Sequence, residues 1–547
     1  MEIVSIVLIL LVAVVVSGAI SRMLPFSAPA PLVQIALGAM VGLVADVRVE
    51  LNPELFLLLF LPPLLFLDGW RIPKDELFQD LAAVTGLALG LVLLTVIGMG
   101  FFINWMIPAM PLAVAFALAA VVSPTDPIAV SAIAARVPIP KRMMHILEGE
   151  SLLNDASGLV CLRFAVAAAL TGSFSPSAAA ASFLWTAGAG LAVGVFVTLA
   201  VTQTKAWVSR IYGEDTGSQV LVSLLIPFAA YLLAEEVHAS GILAAVAAGV
   251  TMSFADVASE AMAATRMRRN SVWDMIQFTL NGIIFVLLGE QLPRILASAR
   301  ATVQLTDHVE PWWLSVYVLA IVAGLVVLRF AWVWVSFRLT LLRRRRDGTA
   351  DVPHSPDWRL FAAMSAAGVR GAITLAGVLT LPLAMADGAA FPARDLAIFL
   401  ATGVIIVSLV LASVVLPLLL RGLTMPAEPS KQAEEDRARV LAAEAAIRAI
   451  ESTQHRLAEG RSDADIFAAA GARIMGIYRQ RIESRSRQGQ AGRDAAQQER
   501  IERELLLAAV AAERGVIAEH LRERRIGSAA GHKLIRELDL IEVRFKG

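Results

Sequence analysis

Long apolar runs alternate with short polar breaks along the first three quarters of the chain, after which its character changes. The apolar runs centre on residues 4–20, 32–44, 55–67, 81–105, 112–135, 145–170, 183–202, 220–233, 240–254, 273–292, 312–341, 360–385 and 396–420. Most are long enough, at about 1.5 Å per helical residue, to cross a hydrocarbon layer about 30 Å thick. Lipid offers backbone N–H and C=O groups no hydrogen-bond partner, so such runs must close their bonds internally as helices. The pattern predicts an all-α polytopic membrane protein with about thirteen transmembrane helices. Only Met1, Glu2 and Ile3 precede the first run, with no basic side chain, so it is expected to be a retained span and not a cleaved signal.

The polar breaks test that count. One alternate set holds Arg71 and Lys74, then Arg136, Lys141 and Arg142, then Lys205 and Arg210, then Arg266, Arg268 and Arg269, then Arg343 to Arg346. The other set, at 106–111, 171–177, 235–238 and 386–393, is poor in basic residues, with Arg294 and Arg300 a mild exception. Loops on the cytoplasmic side carry the Lys and Arg excess, so the N-terminus is expected outside and the C-terminus inside. From residue 425 onward Ala, Arg and Glu dominate, and 42 of the 94 ionised side chains lie there. Helical spacing of Ala, Leu and Ile over 434–451 and 500–519 predicts a cytoplasmic, charged helical tail that packs on itself or on a second copy. Two domains follow: 1–424 in the membrane and 425–547 beyond it.

Composition agrees with this division. The chain is 57% hydrophobic and 17% charged, with a mean hydropathy of +0.69; a soluble protein carries roughly a quarter charged residues. The single cysteine, Cys161, excludes an internal disulfide framework and a cysteine metal site. No HExxH and no GxxxxGK[ST] occurs, so neither a zinc protease nor an ATP-driven pump is expected. The chain is read as no enzyme, with no cofactor and no nucleic-acid partner.

Chemistry enters through charges inside the apolar runs, where a charged group at the bilayer centre costs on the order of 3 kcal/mol. In Glu148-Gly-Glu150-Ser151-Leu-Leu-Asn154-Asp155, the carboxylate of Asp155 is followed at once by an apolar stretch. Ser151 and Asp155, four apart, share a helix face, with Glu150 and Asn154 on the neighbouring stripe. Hydroxyl, amide carbonyl and carboxylate are hard oxygen ligands that suit Na+ or Li+ and can also hold a proton. In Ser123-Pro124-Thr125-Asp126-Pro127, two prolines break the fifth run and release carbonyls from helical bonding. A broken helix with an aspartate at the break is how transporters build ion sites near the midplane. Gly368-Val-Arg370-Gly371 marks a second interrupted helix. Arg370 and Arg329 cannot shed their charge, so each needs helix-end carbonyls or a carboxylate such as Glu150. Asp68, before Gly69 and Trp70 at the end of the third run, reads equally as a site residue or an interfacial one.

The ordered set LPPLLFLDGW, SPTDP, GESLLNDASGLV, AEEVHASGILAAVAAG and GVRGAITLA resembles the monovalent cation/proton antiporter family, which includes NhaP-type bacterial Na+/H+ antiporters and animal Na+/H+ exchangers. The likeness covers residues 1–421 and leaves the tail outside. It implies an inverted-repeat fold with a dimerisation domain and an ion-carrying core, two crossed broken helices at the site, a homodimer, and a plasma-membrane (bacterial inner-membrane) location. It implies that Asp155 carries the ion, with Asn154, Ser151 and Thr125 as ligands, Asp126 beside them, and Na+ held at Asp155, Ser151 and Thr125. Glu150 is expected to pair with Arg329, and Arg370 to act as a structural charge. An Asn-Asp pair implies electroneutral exchange. Relatives often carry an acidic residue where this chain has Leu67; Asp68 stands one place later, a rotation of about 100° on a helix.

The function expected is Na+ (and Li+) exchange for H+ by competition of cation and proton for Asp155. The same architecture selective for K+ is the alternative, because selectivity depends on distances that sequence does not carry. A non-transporting membrane sensor is the remote alternative, disfavoured because it would not need costly intramembrane aspartates.

Overall fold

In the computed structural model, every one of the thirteen apolar runs is helical in whole or in part. The structure describes residues 2–546 apart from 24–28, 45–52, 73, 75–80, 128–129, 132–140, 173–175, 214, 259–262, 305, 307–309, 347–357, 386–387, 422–428, 459–463 and 487–489. The chain divides into two compact units, Met1–Leu423 and Thr424–Gly547. The boundary expected from composition, between 424 and 425, lies outside the described residues, as does Arg136.

The first unit contains α1 (Glu2–Met23), α2 (Ala30–Val44), α3 (Pro53–Arg71), α4 (Leu81–Met106, with a π-helical stretch at Gly86–Leu91), α5 (Leu112–Val122), α6 (Lys141–Thr171), α7 (Pro176–Tyr212) and α8 (Thr216–Glu236). It continues with α9 (Gly241–Ala258), α10 (Ala263–Ala297), α11 (Ala299–Gln304), α12 (Trp312–Arg346), α13 (Trp358–Ala366), α14 (Ala372–Leu379) and α15 (Arg394–Leu420). Among the described residues, eight helices are long and apolar enough to cross a membrane, and three shorter apolar ones lie among them. Exposed Trp185 and Trp207 on α7, and exposed Trp312 and Trp334 on α12, are each 22 residues apart. That is about 33 Å along a helix, the separation of the two headgroup belts where tryptophan gathers. At the entry to α8, Asp215 accepts from the Ser218 hydroxyl and from the backbone N–H groups of Ser218 and Gly217. Those bonds, the Ser218 hydroxyl foremost, hold its carboxyl below the usual aspartate range.

Two packing groups flank the site, and a further cluster of α2, α6, α10, α13 and α15 ties them together. α4, α5, α6, α12 and α15 share one core, with α5 at its centre; Val114, Ala115, Leu118 and Val122 are fully buried. α1, α3, α9 and α10 share another, extended by α7 and α8 around Phe66, Leu67 and Trp273. Two interfaces, α2 on α10 and α9 on α3, use the same device. A Cβ at Gly38 would strike the carbonyl of Val286, and one at Gly289 the carbonyl of Ile35. A Cβ at Gly249 would strike the carbonyl of Phe66, and one at Gly69 the carbonyl of Val246. In each pair, every glycine faces the carbonyl three residues before its partner glycine. These interfaces join the second apolar run to the tenth and the ninth to the third, so an offset of seven runs maps one onto the other. The same offset maps the broken fifth run onto the broken twelfth. Seven is odd, so equivalent helices cross in opposite directions, as an inverted repeat requires.

Among the described residues the second unit has four helices, α16 (Pro429–Ala458), α17 (Ala464–Ser486), α18 (Gln490–Arg522) and α19 (Ser528–Lys546). α16 packs on α17 and α18 on α19, the latter pair tied by Arg514, which donates to Asp539 at 2.8 Å and to Glu542.

Candidate functional site

The two interrupted helices meet at their interruptions. α5 stops at Val122 and the chain runs non-helically through Pro124 to Asp126, because proline supplies no N–H to continue the ladder. α13 stops at Ala366 and α14 begins at Ala372. The Asp126 N–H donates to the Val369 carbonyl at 2.7 Å, so one break bonds the other. Arg370 then serves both. Its Nε donates to the Val122 carbonyl at 2.7 Å and its Nη1 to the Gly368 carbonyl, while its own N–H donates to Ser408 Oγ at 3.1 Å. Helix C-termini carry partial negative charge and unsatisfied carbonyls, which a fixed guanidinium neutralises. Gly371 has no room for a side chain: a Cβ there would collide with the Asp126 carboxylate.

Against these breaks α6 lays the face carrying Ser151 and Asp155. Gly158, one turn beyond Asn154, lets α6 approach Pro124, which a Cβ would strike. Ser151, Asp155, Thr125, Asp126, Gly371 and Thr374 line a cavity of about 40 Å³, closed on its other side by Asp68, Leu61, Leu64 and Leu65 of α3. That volume has room for a few waters or one small cation with part of its hydration shell. Asp155 is 4% exposed. The cavity therefore lies between the two packing groups, with α5, α6 and α14 on one wall and α3 on the other.

Glu150 points away from this cavity and is fully engaged. Arg329 donates to its two oxygens at 2.5 and 2.6 Å, and Thr125 Oγ1 donates to it at 3.0 Å. Arg329 Nε donates to the Met364 carbonyl at 2.9 Å, and both members of the pair are buried. A two-pronged guanidinium–carboxylate contact of this kind is the strongest form of ion pair. Asn154 stands behind the cavity: its Nδ2 donates to Thr125 Oγ1 at 3.0 Å, and its buried Oδ1 has no hydrogen-bond partner among the described residues. The structure thus brings Asp155, Ser151, Thr125 and Asp126 to one cavity, sets Asn154 as the brace of Thr125, and joins Glu150 to Arg329.

Asp68 is also at the cavity. Its helix face is Leu61, Leu64, Leu65 and Asp68, the i, i+3, i+4, i+7 spacing of a single stripe. Leu67 is turned into the cluster of Phe66, Ala230 and Trp273. That stripe was the signal in the sequence for placing Asp68. Other features carried less signal. Ser157 Oγ donates at 2.6 Å to the Ala88 carbonyl in the π-helical stretch of α4. Arg269, which reads as a loop charge, is 3% exposed and pairs with Asp256 at 2.5 Å. Glu290, near the end of the tenth apolar run, is buried and accepts from Arg294 at 2.7 Å. A second cavity of about 430 Å³ lies further along α6, its polar lining Arg163, Thr186, Tyr231, Ser240 and Thr380; Arg163 reaches Glu235 of α8 at 3.5 Å.

Residues 7–422 match the sodium/hydrogen exchanger transmembrane family. The chain is 42% identical over 550 residues to an uncharacterized Na+/H+ exchanger of Escherichia coli K12, YjcE, spanning 99% of this chain and 98% of that protein. It is 44% identical over 422 residues to a sodium, potassium, lithium and rubidium/H+ antiporter of Bacillus pumilus, spanning 77% of this chain and 61% of that protein. Among solved structures, the sodium proton antiporter MjNhaP1 of Methanocaldococcus jannaschii shares the fold, with a TM-score of 0.55 at 17% identity over 77% of this chain and 99% of that one. The tail lies within the span shared with the Escherichia coli protein.

Proposed function

The chain belongs to the sodium/hydrogen exchanger family, and on that premise we propose that it is a secondary antiporter, not an enzyme, that exchanges a monovalent cation for H+ at the Asp155 carboxylate. The observation that carries this reading is one small buried cavity faced by Asp68, Asp126 and Asp155 and by Ser151 and Thr125. The nearby arginines are committed elsewhere, Arg329 to Glu150 and Arg370 to carbonyls of the broken helices. Carboxylates crowded in a confined space cannot all stay ionised without a counter-charge, so the site takes up either a proton or a cation. Competition for one site couples the two fluxes when only the loaded site crosses. One cation for one proton makes the exchange electroneutral.

The hydroxyl and carboxylate donors suit Na+ and Li+, and no cofactor takes part beyond the transported ions. The position of the cavity between two packing groups supports a cycle in which α5, α6 and α14 move against α3, with the larger cavity beside Arg163 on the route to the other face. The protein works as a homodimer in the plasma membrane, with the N-terminus outside and the tail in the cytoplasm. A wider cation range, K+ included, is a second reading, favoured by the printed substrates of the Bacillus pumilus relative.

Everted vesicles test both. Addition of Na+ or Li+ should dissipate an imposed pH gradient with the native chain and fail to do so with Asp155→Asn at equal abundance in the membrane. Normal exchange by that variant would sink the assignment. Response to K+ at concentrations similar to Na+ selects the wider range.

A further inference from the structure

The last turn of α3 is gripped on the face opposite the cavity. Trp70 lies two residues, about 200° of helix rotation, from Asp68. Its Nε1 donates to Asp256 Oδ2 at 3.0 Å, and Arg269 Nη2 donates to the same oxygen at 2.5 Å. The Arg269 guanidinium also lies 4.7 Å above the Trp70 ring. Trp70, Asp256 and Arg269 come from α3, α9 and α10, so three elements are joined at one point. Neighbouring contacts reinforce it: Phe66 stacks on Trp273 at 5.3 Å, and Arg71 donates to Asp274 at 2.5 Å and to Gln277 at 2.9 Å. Lys74 donates to the Ser253 carbonyl at 2.6 Å.

This grip has a reason to exist. Pro62 and Pro63 sit inside α3 and remove two backbone donors from the ladder, so the turns that follow are not held in register by the preceding helix alone. Helix ends also fray where their carbonyls lack partners. A rotation of one residue would exchange Asp68 for Leu67 at the cavity, and packing on α8, α9 and α10 opposes it.

We propose that Trp70, Asp256 and Arg269 are positioning residues, a clamp that fixes the rotation of the α3 terminus and so holds the Asp68 carboxylate at the cation cavity. The proposal rests on the assignment of that cavity as the exchange site. The residues of the clamp touch neither the cavity nor the ion; they act through the backbone of α3.

The test uses the full chain in proteoliposomes with Na+ as the cation and an internal pH dye. Trp70→Phe keeps an aromatic ring for Trp273 and Arg269 and removes the Nε1 donor together with part of the indole. It should raise the apparent KM for Na+ by about fivefold, the weight of one hydrogen bond. It should also displace the dependence of KM on pH, with the maximal rate held within about twofold of native. Asp256→Asn should act in the same direction. In an Asp68→Asn background neither substitution should change KM further. The clamp is overturned if both variants keep native KM and pH dependence, if they lower only the maximal rate, or if their effects persist undiminished without Asp68. If Asp68→Asn alone leaves KM and its pH dependence native, Asp68 is no part of the site and the clamp falls with it. Loss of exchange in Asp155→Asn would still stand in that case, which separates failure here from failure of the exchange site.

Discussion

At the scale of the residue, the most informative contrast is between Glu150 and Asp155, five apart on α6 and both buried. Glu150 is matched by Arg329 and Thr125, whereas Asp155 faces the cavity. Breaking a buried ion pair from one side leaves an uncompensated charge, at a cost of about 3–5 kcal/mol, while replacing both partners by apolar side chains is often neutral. Glu150→Gln and Arg329→Gln should therefore each lower the thermal stability of the detergent-purified protein severely. Glu150→Leu with Arg329→Met should recover most of it. Equal stability of the single and double variants would contradict the pairing. The identities of Asp155, Asp126, Glu150 and Arg329 were legible because an ionised group within an apolar run is costly wherever it occurs. Asp68 was only half legible: its stripe with Leu61, Leu64 and Leu65 is in the sequence, but which stripe of α3 faces the cavity is decided by packing on α9. Arg269 was hidden for a different reason, since a basic residue near the end of a span reads as a solvated charge until a partner such as Asp256 closes over it.

The elements carry the site through two breaks, and what fixes their meeting is backbone chemistry. The Asp126 N–H on the Val369 carbonyl and Arg370 on the Val122 carbonyl join α5 to the α13–α14 pair without any side chain of the cavity. Gly371 is the point of closest approach, and its replacement by alanine must displace the Asp126 carboxylate. Gly371→Ala should still insert and fold, because the clash is confined to the break, yet lose at least roughly tenfold in exchange rate, as misplacement of a reacting group by an ångström implies. Native rates in that variant would show that Asp126 has freedom the packing does not suggest. Both breaks were legible from their prolines and glycines. The contact between them was not, because nothing in either segment names its partner across more than two hundred residues. The cap at Asp215 behaves oppositely. Its lowered pKa means that the stabilisation it gives α8 is present above the usual aspartate range and is lost only as pH falls through the lowered value. It therefore contributes nothing to pH dependence near neutrality.

At the scale of the whole molecule, thirteen apolar runs and the alternation of basic loops were enough to read an all-α membrane fold, since lipid leaves the backbone so few options. The repeat was less visible. It emerges from paired interfaces, Gly38 with Gly289 and Gly249 with Gly69, whose equivalence lies in contacts and not in similar strings of residues. The sorting of helices into two packing groups, with the cavity between them, was likewise beyond the sequence, because hydrophobic runs do not announce which neighbours they choose. That arrangement is what the proposed exchange needs: a cation and a proton would compete for one carboxylate set, and the protein would carry whichever is bound. The most direct test is the apparent KM for Na+ measured across pH in proteoliposomes. Competition at one site predicts that KM rises, on the acidic limb, by about tenfold for each unit of pH lowered, as mass action for a single proton requires, while the maximal rate stays constant. A KM that does not change with pH, with the maximal rate alone titrating, would mean separate sites for proton and cation and would contradict the account.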